Sequence, residues 1–125
     1  RDTLGAILNH VPYAAILVTA TGDIVYLNKR SHDLLGYSHA DIPTAEVWMR
    51  RAYPDDGLRA RVMAEWLAVQ GKPCRRVYPV RCGDGRSRWI DFVAAPLAEG
   101  RMLLTMNEAD PRQVAHFLAG TRPPD

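Results

Sequence analysis

The sequence predicts an α+β domain: a five-stranded antiparallel sheet with short helices and one longer helix on one face. Three observations predict it. Five apolar segments of strand length are bounded by turn residues, two early in the chain and three late. The stretch between them carries helix caps and helical apolar spacing. The links within both groups of strands are short enough to make neighbours antiparallel. A length of 125 residues suits one domain with a modest core, and 47% hydrophobic with 24% charged residues argues against disorder.

Taken in order, Leu4, Ile7, Leu8 and Val11 fall at i, i+3, i+4 and i+7, one stripe of a short helix that Pro12 ends. "YAAILVT" and "DIVYLN" are strands joined through "ATG", an antiparallel hairpin. The stretch "GDIVYLNKRSHDLLGY" then packs Asn28, Lys29, Arg30, Ser31, His32 and Asp33 together. Asn28 is a good N-cap, Leu34 and Leu35 supply a buried side, and Gly36 suits the C′ position. The polar run therefore reads as the exposed face of a two-turn helix rather than a catalytic or metal cluster. "SHADI" has Ser38 and Asp41 at capping-box spacing. Thr44 starts a helix through "AEVWMRRAY" that Pro54 ends, and Asp55 or Asp56 caps the longest helix, Gly57 to Gln70. Leu58, Val62, Trp66 and Val69 form its apolar stripe, widened by Met63 and Leu67.

Three strands follow: "CRRVYPVRC", "RSRWIDFVAAPL" and "RMLLTMNE". Alternation puts Ile90, Phe92 and Ala94 on the core face of the middle strand, and Tyr78 and Val80 on that of the strand before. The last strand is ambiguous, with Met102, Leu104 and Met106 on one face against Leu103 and Thr105 on the other. A sheet apolar on both faces needs cover on both: the helical middle on one, and the N-terminal helix, a partner subunit or both on the other. Asp110 and Pro111 start an exit helix with Val114, Phe117 and Leu118 as its stripe; Gly120 ends it, and "TRPPD" reads as a disordered end. The expected organisation is a flanking helix over 1–12, the domain over 13–109, and an exit helix over 110–125 leading to an effector in the parent chain.

Composition excludes several function classes. A net charge of +2 is too small for a dedicated nucleic-acid binder. The longest apolar run, Val11 to Val18, falls far short of the roughly 20 residues a membrane helix needs. The sequence begins at Arg1 and shows no signal peptide, so a fragment of a larger cytoplasmic protein is expected, without membrane contact of its own. Cys74 and Cys82 bracket one strand, which at about 3.3 Å per residue separates them by roughly 26 Å, beyond the reach of a disulfide. Adjacent His32 and Asp33 would point about 100° apart on a helix, and no nucleophile accompanies them. His10, His32, His39 and His116 fall at helix ends or exposed faces, and no metal-spaced ligands or phosphate-binding glycine loop occur, so neither catalytic residues nor a metal site are expected. Arg75, Arg76, Arg81, Arg86 and Arg88 read as a charged, solvated strand edge.

The order of elements, with "IVYLNKRSHDLLGYSHADI", "AYPDDGLRARVMAEW" and "GDGRSRWIDFVAAPL", resembles the PAS domain family of bacterial sensory modules over about residues 13–110. The resemblance implies a PAS fold, a pocket between sheet and helices, and a signal junction at the end of the last strand. At that junction Asn107, Glu108, Ala109, Asp110 and Pro111 replace the family's Asp-Ile-Thr-Glu-Arg. Flavin photosensors of the light-oxygen-voltage (LOV) kind carry an Asn-Cys-Arg motif where this chain has "TAEVWMRR", and haem-binding members place a His on the long helix, which has none here. Both departures are read against haem and against a LOV-type flavin; the cofactor is otherwise unknown.

The residues expected to line a pocket, or else simply to fill the core, are Trp48, Val62, Trp66, Tyr78, Val80, Ile90, Phe92 and Thr105, with Tyr78 and Thr105 as polar anchors for a small apolar or aromatic ligand. A homodimer is expected, with Leu4, Ile7, Leu8, Met102, Leu104 and Met106 as its face. The expected function is a non-enzymatic sensory module of a histidine kinase or diguanylate cyclase type of signalling protein. The alternative is a structural dimerisation module with a filled core and no ligand.

Overall fold

The computed structural model describes residues 3–120, with side chains from residue 5 onward; the Leu4 side chain and the "TRPPD" end lie outside the described residues. Helix α1 (Thr3–His10) leads into the hairpin β1 (Ala14–Val18) and β2 (Ile24–Leu27). Helices α2 (Lys29–Leu35), α3 (Ala45–Ala52) and α4 (Asp56–Ala68) follow, then β3 (Cys74–Arg81), β4 (Ser87–Pro96), β5 (Met102–Glu108) and α5 (Pro111–Leu118). The sheet is antiparallel throughout, in the order β2-β1-β5-β4-β3, so the first and last strands meet in its interior.

Helices α2 to α5 each start where the sequence suggests, for a local reason. Asn28, Thr44, Asp55 and Asp110 accept from the backbone amides of Ser31, Val47, Leu58 and Gln113, which would otherwise be unsatisfied in a first turn. At α5 the Gln113 side chain returns a bond to the Asp110 amide and completes a capping box. Ser38 and Asp41 exchange the same reciprocal bonds, but in a turn rather than a helix.

Gly36 ends α2 at φ 75°, which favours glycine. Its backbone lies against Gly83: a Cβ on Gly83 would sit 2.1 Å from the Gly36 carbonyl oxygen, while the Gly83 amide donates to Leu35 O at 2.7 Å. Gly83→Ala is therefore expected to cost about 2 kcal/mol by overpacking, read as a lowered thermal midpoint; an unchanged midpoint would mean that the β3–β4 turn can move off α2.

Register decides which strand face is which. Phe92 lies opposite Met106, Ala94 opposite Leu104, and Ile16 opposite Leu104 on its other side. These residues face α3 and α4 and form one core with Leu35, Ile42, Trp48, Tyr53, Val62, Tyr78, Val80 and Ile90. Leu104 and Met106 are therefore core residues, not a dimer face, and Met102 sits half-buried on the same side. Leu8 is also buried, on α1, and cannot contact a partner. Of the dimer candidates with described side chains, Ile7 alone is open to solvent. The opposite face carries Ala15, Leu17, Leu103, Thr105 and Val93. α1 covers its β1–β2 end, where Gly5 leaves room for the Tyr26 ring; Val93 stays exposed.

Two further expectations change. Met63 and Leu67 point to solvent and Val69 falls beyond the end of α4, so the buried stripe of that helix narrows to Val62 with Leu58 and Trp66 half-buried. The arginines are not all a solvated edge. Arg76 is buried on the inner face opposite Phe92, and Arg75 holds the buried Asp91 carboxylate through two bonds of 3.0 and 2.8 Å. Cys74 and Cys82, at the two ends of β3, carry thiols rather than a disulfide.

Candidate functional site

The helical side of the sheet is packed with rings. Trp48 meets Tyr37, Tyr53 and Phe92 edge-on, Tyr53 meets Tyr78, and Trp66 meets both Tyr78 and Phe92, with centroid separations between 6.0 and 6.4 Å. Such edge-to-face pairs match the ring quadrupoles and favour close packing. Seven of the eight expected pocket residues belong to this layer: Trp48, Val62, Tyr78, Val80, Ile90 and Phe92 are buried, and Trp66 packs against them. Thr105 does not join them. It lies opposite Ala15 and Val93, on the other face of the sheet, and cannot anchor a ligand on this side. Alternation along β5 separates it from Leu104 and Met106 by parity alone.

Space on the helical side opens at the C-terminal end of α4. A cleft of about 540 Å³ lies between the α4–β3 connection, the inner ends of β1, β4 and β5, and the β4–β5 turn. Its floor is Val18, Trp66, Cys74, Ala94 and Met102; its rim includes Thr19, Gln70, Lys72 and Arg101. That volume is within the range of small-molecule sites, about 300–1,000 Å³. Of the eight expected residues Trp66 alone lines it. The rim residues were not foreseen, because they sit in connections whose placement no local periodicity encodes.

Tyr78, the other expected anchor, is already engaged. Its hydroxyl donates to Glu65 Oε1 at 2.6 Å, and burial followed by that contact raises its pKa from the ordinary value. Glu65 is shared: Arg61 Nε donates to its Oε2 at 3.0 Å, and Arg76 Nε lies 3.9 Å from Oε1. The Arg61 guanidinium in turn sits 4.0 Å over the Phe117 ring of α5, which also meets Tyr78 at 6.2 Å and Trp89 at 5.2 Å. A continuous set of contacts thus runs from Trp66 at the cleft, through Tyr78 and Glu65, to the exit helix. The junction residues behave differently from one another: Asn107 and Glu108 are exposed at the end of β5, whereas Asp110 caps α5.

A profile of the PAS fold family matches residues 24–104. The chain belongs to the PAS family. None of the curated proteins matches it, but many solved structures share the fold. A LOV protein of Rhodobacter sphaeroides superposes with TM-score 0.69 at 16% identity, over 93% of this chain and 71% of its own. A domain of a sensory box sensor histidine kinase/response regulator of Geobacter sulfurreducens gives 0.64 at 19%, over 86% and 92%. A LOV domain studied with a flavin analogue gives 0.70 at 18%, over 94% and 93%.

The LOV structures overturn one expectation. The missing Asn-Cys-Arg motif speaks against a LOV-type flavin, yet LOV proteins recur among the solved structures that share this fold, so that group is compatible with the fold. The cleft residues fit a flat apolar ring in part: Trp66, Val18 and Met102 offer apolar walls, and Thr19 and Gln70 offer hydrogen-bonding side chains. Such a group would supply light absorption when bound. Helix α3 has no cysteine to react with it. Among the described residues no cluster of His, Cys, Asp or Glu could hold a metal, and no helix is long and apolar enough to cross a membrane.

Proposed function

We propose that this PAS domain is the sensory module of a signalling protein, taking a small ligand in the α4 cleft and passing its occupancy to an effector in the same parent chain through α5. The observation that carries the reading is the contact path Trp66–Tyr78–Phe117 with its Glu65–Arg61 branch. A ligand that moves Trp66 disturbs Tyr78 and Glu65, and these hold α5. The solved sensor histidine kinase domain with this fold supports a signalling role for the parent chain. A packed core is bistable rather than continuously deformable, so small shifts at the cleft can favour one of two α5 positions.

The path has a direct test. Phe117→Ala removes one cation–π contact and two ring contacts, about 1–2 kcal/mol of local docking. The amides of Gln113–Leu118 are expected to exchange with deuterium several-fold faster, with protection in β4 and β5 unchanged. Equal protection in both proteins would mean that α5 is held by its cap and not by this path.

A second reading, an interaction module without a ligand, is favoured by the continuous ring packing inside the domain and by the exposed Val93 and Ile7. In that reading a second copy covers the outer sheet face.

A further inference from the structure

The cleft reading can be carried to the chemistry of its occupant. Resting on that reading, we infer that the cleft selects an anionic amphiphile: a small carboxylate whose apolar or aromatic body lies against Trp66, Val18 and Met102, with its charge between Lys72 and Arg101.

Charge is the first observation. Lys72 and Arg101 both line the cleft, and no Asp or Glu does. They come from two different connections, α4–β3 and β4–β5, so two separate segments deliver the same sign of charge to one opening. Neither belongs to an ion pair among the described residues. Some arginines elsewhere are matched with acids, as Arg75 is with Asp91, Arg59 with Asp56 and Arg88 with Asp84, but what sets Lys72 and Arg101 apart is that both line one opening. Arg101 spends only Nε on its own turn, donating to Ala98 O at 3.1 Å, which leaves its terminal nitrogens for a carboxylate.

The opening is also built rather than loose. Gly100 takes φ 73°, and a Cβ there would stand 2.8 Å from Ala20 Cβ, so the β4–β5 turn closes directly onto the β1–β2 turn. Glu99, just before it, holds φ 66°, a conformation that costs a non-glycine residue energy and persists where the surroundings impose it. Glu99 and Gly100, both with positive φ, lead directly into Arg101. Below the rim the walls are apolar, so a fully polar anion would leave Trp66 and Met102 facing unfilled space. An apolar neutral molecule would leave two cations uncompensated. An anion with an apolar body satisfies both, and orientation by a few polar groups over an apolar floor is how small-molecule sites reach specificity.

The test uses matched probes on the purified domain, followed by proton–nitrogen NMR: octanoate against 1-octanol and octylamine, and 2-naphthoate against 2-naphthol. The expected result is saturable shifts at the Trp66 indole N–H and the Lys72 and Arg101 amides with the carboxylates, at least tenfold tighter than with the neutral analogues and absent with the amine. The double variant Lys72→Glu, Arg101→Glu should remove the tenfold preference while leaving the thermal midpoint in place. Equal affinity for octanol and octanoate would overturn the charge selection and leave the cleft as a ligand site. No probe binding, or shifts confined to another surface, would overturn the cleft reading itself.

Discussion

Leu104→Glu is expected to unfold the domain. Leu104 lies on the central strand β5 between Ile16 and Ala94, 7% exposed, facing the ring-packed core. A carboxylate there has no partner. Either it is buried charged, which costs far more than the domain can supply, or it is protonated and still lacks hydrogen bonds while displacing an apolar side chain. The loss should exceed about 4 kcal/mol, against a total stability on the order of 5–15 kcal/mol for a domain of this kind. Circular dichroism should show loss of the cooperative melt. The matched control is Val93→Glu, on the opposite face and 41% exposed, which should keep the melt within about 0.5 kcal/mol. If a second copy covers that face, Val93→Glu should also halve the mass in light scattering. A folded Leu104→Glu domain would show the sheet faces to be assigned the wrong way round.

Asn28→Ala should be the most damaging change outside the apolar core, at about 3 kcal/mol. As a cap alone it would be worth about 1 kcal/mol. Its amide does more. Oδ1 accepts from the Ser31 amide at 3.0 Å and from the Ala15 amide at 2.9 Å, and Nδ2 donates to Leu8 O at 2.7 Å and Tyr13 O at 3.0 Å. The side chain is buried, and its four bonds tie α1, the α1–β1 link, β1 and α2 to one point. Alanine strands these backbone groups together, and each buried group left unsatisfied costs about 1–3 kcal/mol, less what water recovers. Asn28→Asp keeps the oxygen that accepts both amide bonds but turns its second carboxylate oxygen toward the Leu8 and Tyr13 carbonyl oxygens, so it should not rescue. Urea melts of the three proteins decide this; a loss near 1 kcal/mol would reduce Asn28 to a cap.

These two positions show what could be read from the chain and what could not. Strand identities, helix starts and the α2 glycine are local events, set by residues within four positions of one another, and the sequence displays them. Asn28 was readable as a cap because Ser31 is three residues away. Its bonds to Leu8 and Tyr13 were not, because they depend on how α1 lies across the hairpin. Alternation along β5 divides Leu104 from Thr105 but cannot say which of them is inside, since both faces of that strand are apolar enough. The register of β5 against β4 decides it, and register is a property of the pair. Arg76 looked like edge charge until α4 placed Glu65 beside it. The cleft was hidden for the same reason: Trp66, Ala94 and Met102 carry periodic signals, but the opening is framed by the α4–β3 and β4–β5 connections, whose approach no period encodes. The flavin expectation failed differently, by treating one missing motif as a test of the fold's whole ligand repertoire.

The sheet order has a consequence for synthesis on the ribosome. β1 needs β5 as its neighbour, and β5 is the last strand of the sheet to be made, so a nascent domain carries β1 with one backbone edge open until every other strand has been translated. Closing that contact spans almost the full domain, and such non-local pairing slows folding. The β1–β2 hairpin, with Asn28 fastening α1 and α2 around it, can form early and shield part of that edge; the sheet can become continuous only when Met102–Glu108 has emerged and slots between β1 and β4. Any chain that stops short of β5 would leave β1 and β4 each with one open backbone edge, a template for edge-to-edge aggregation.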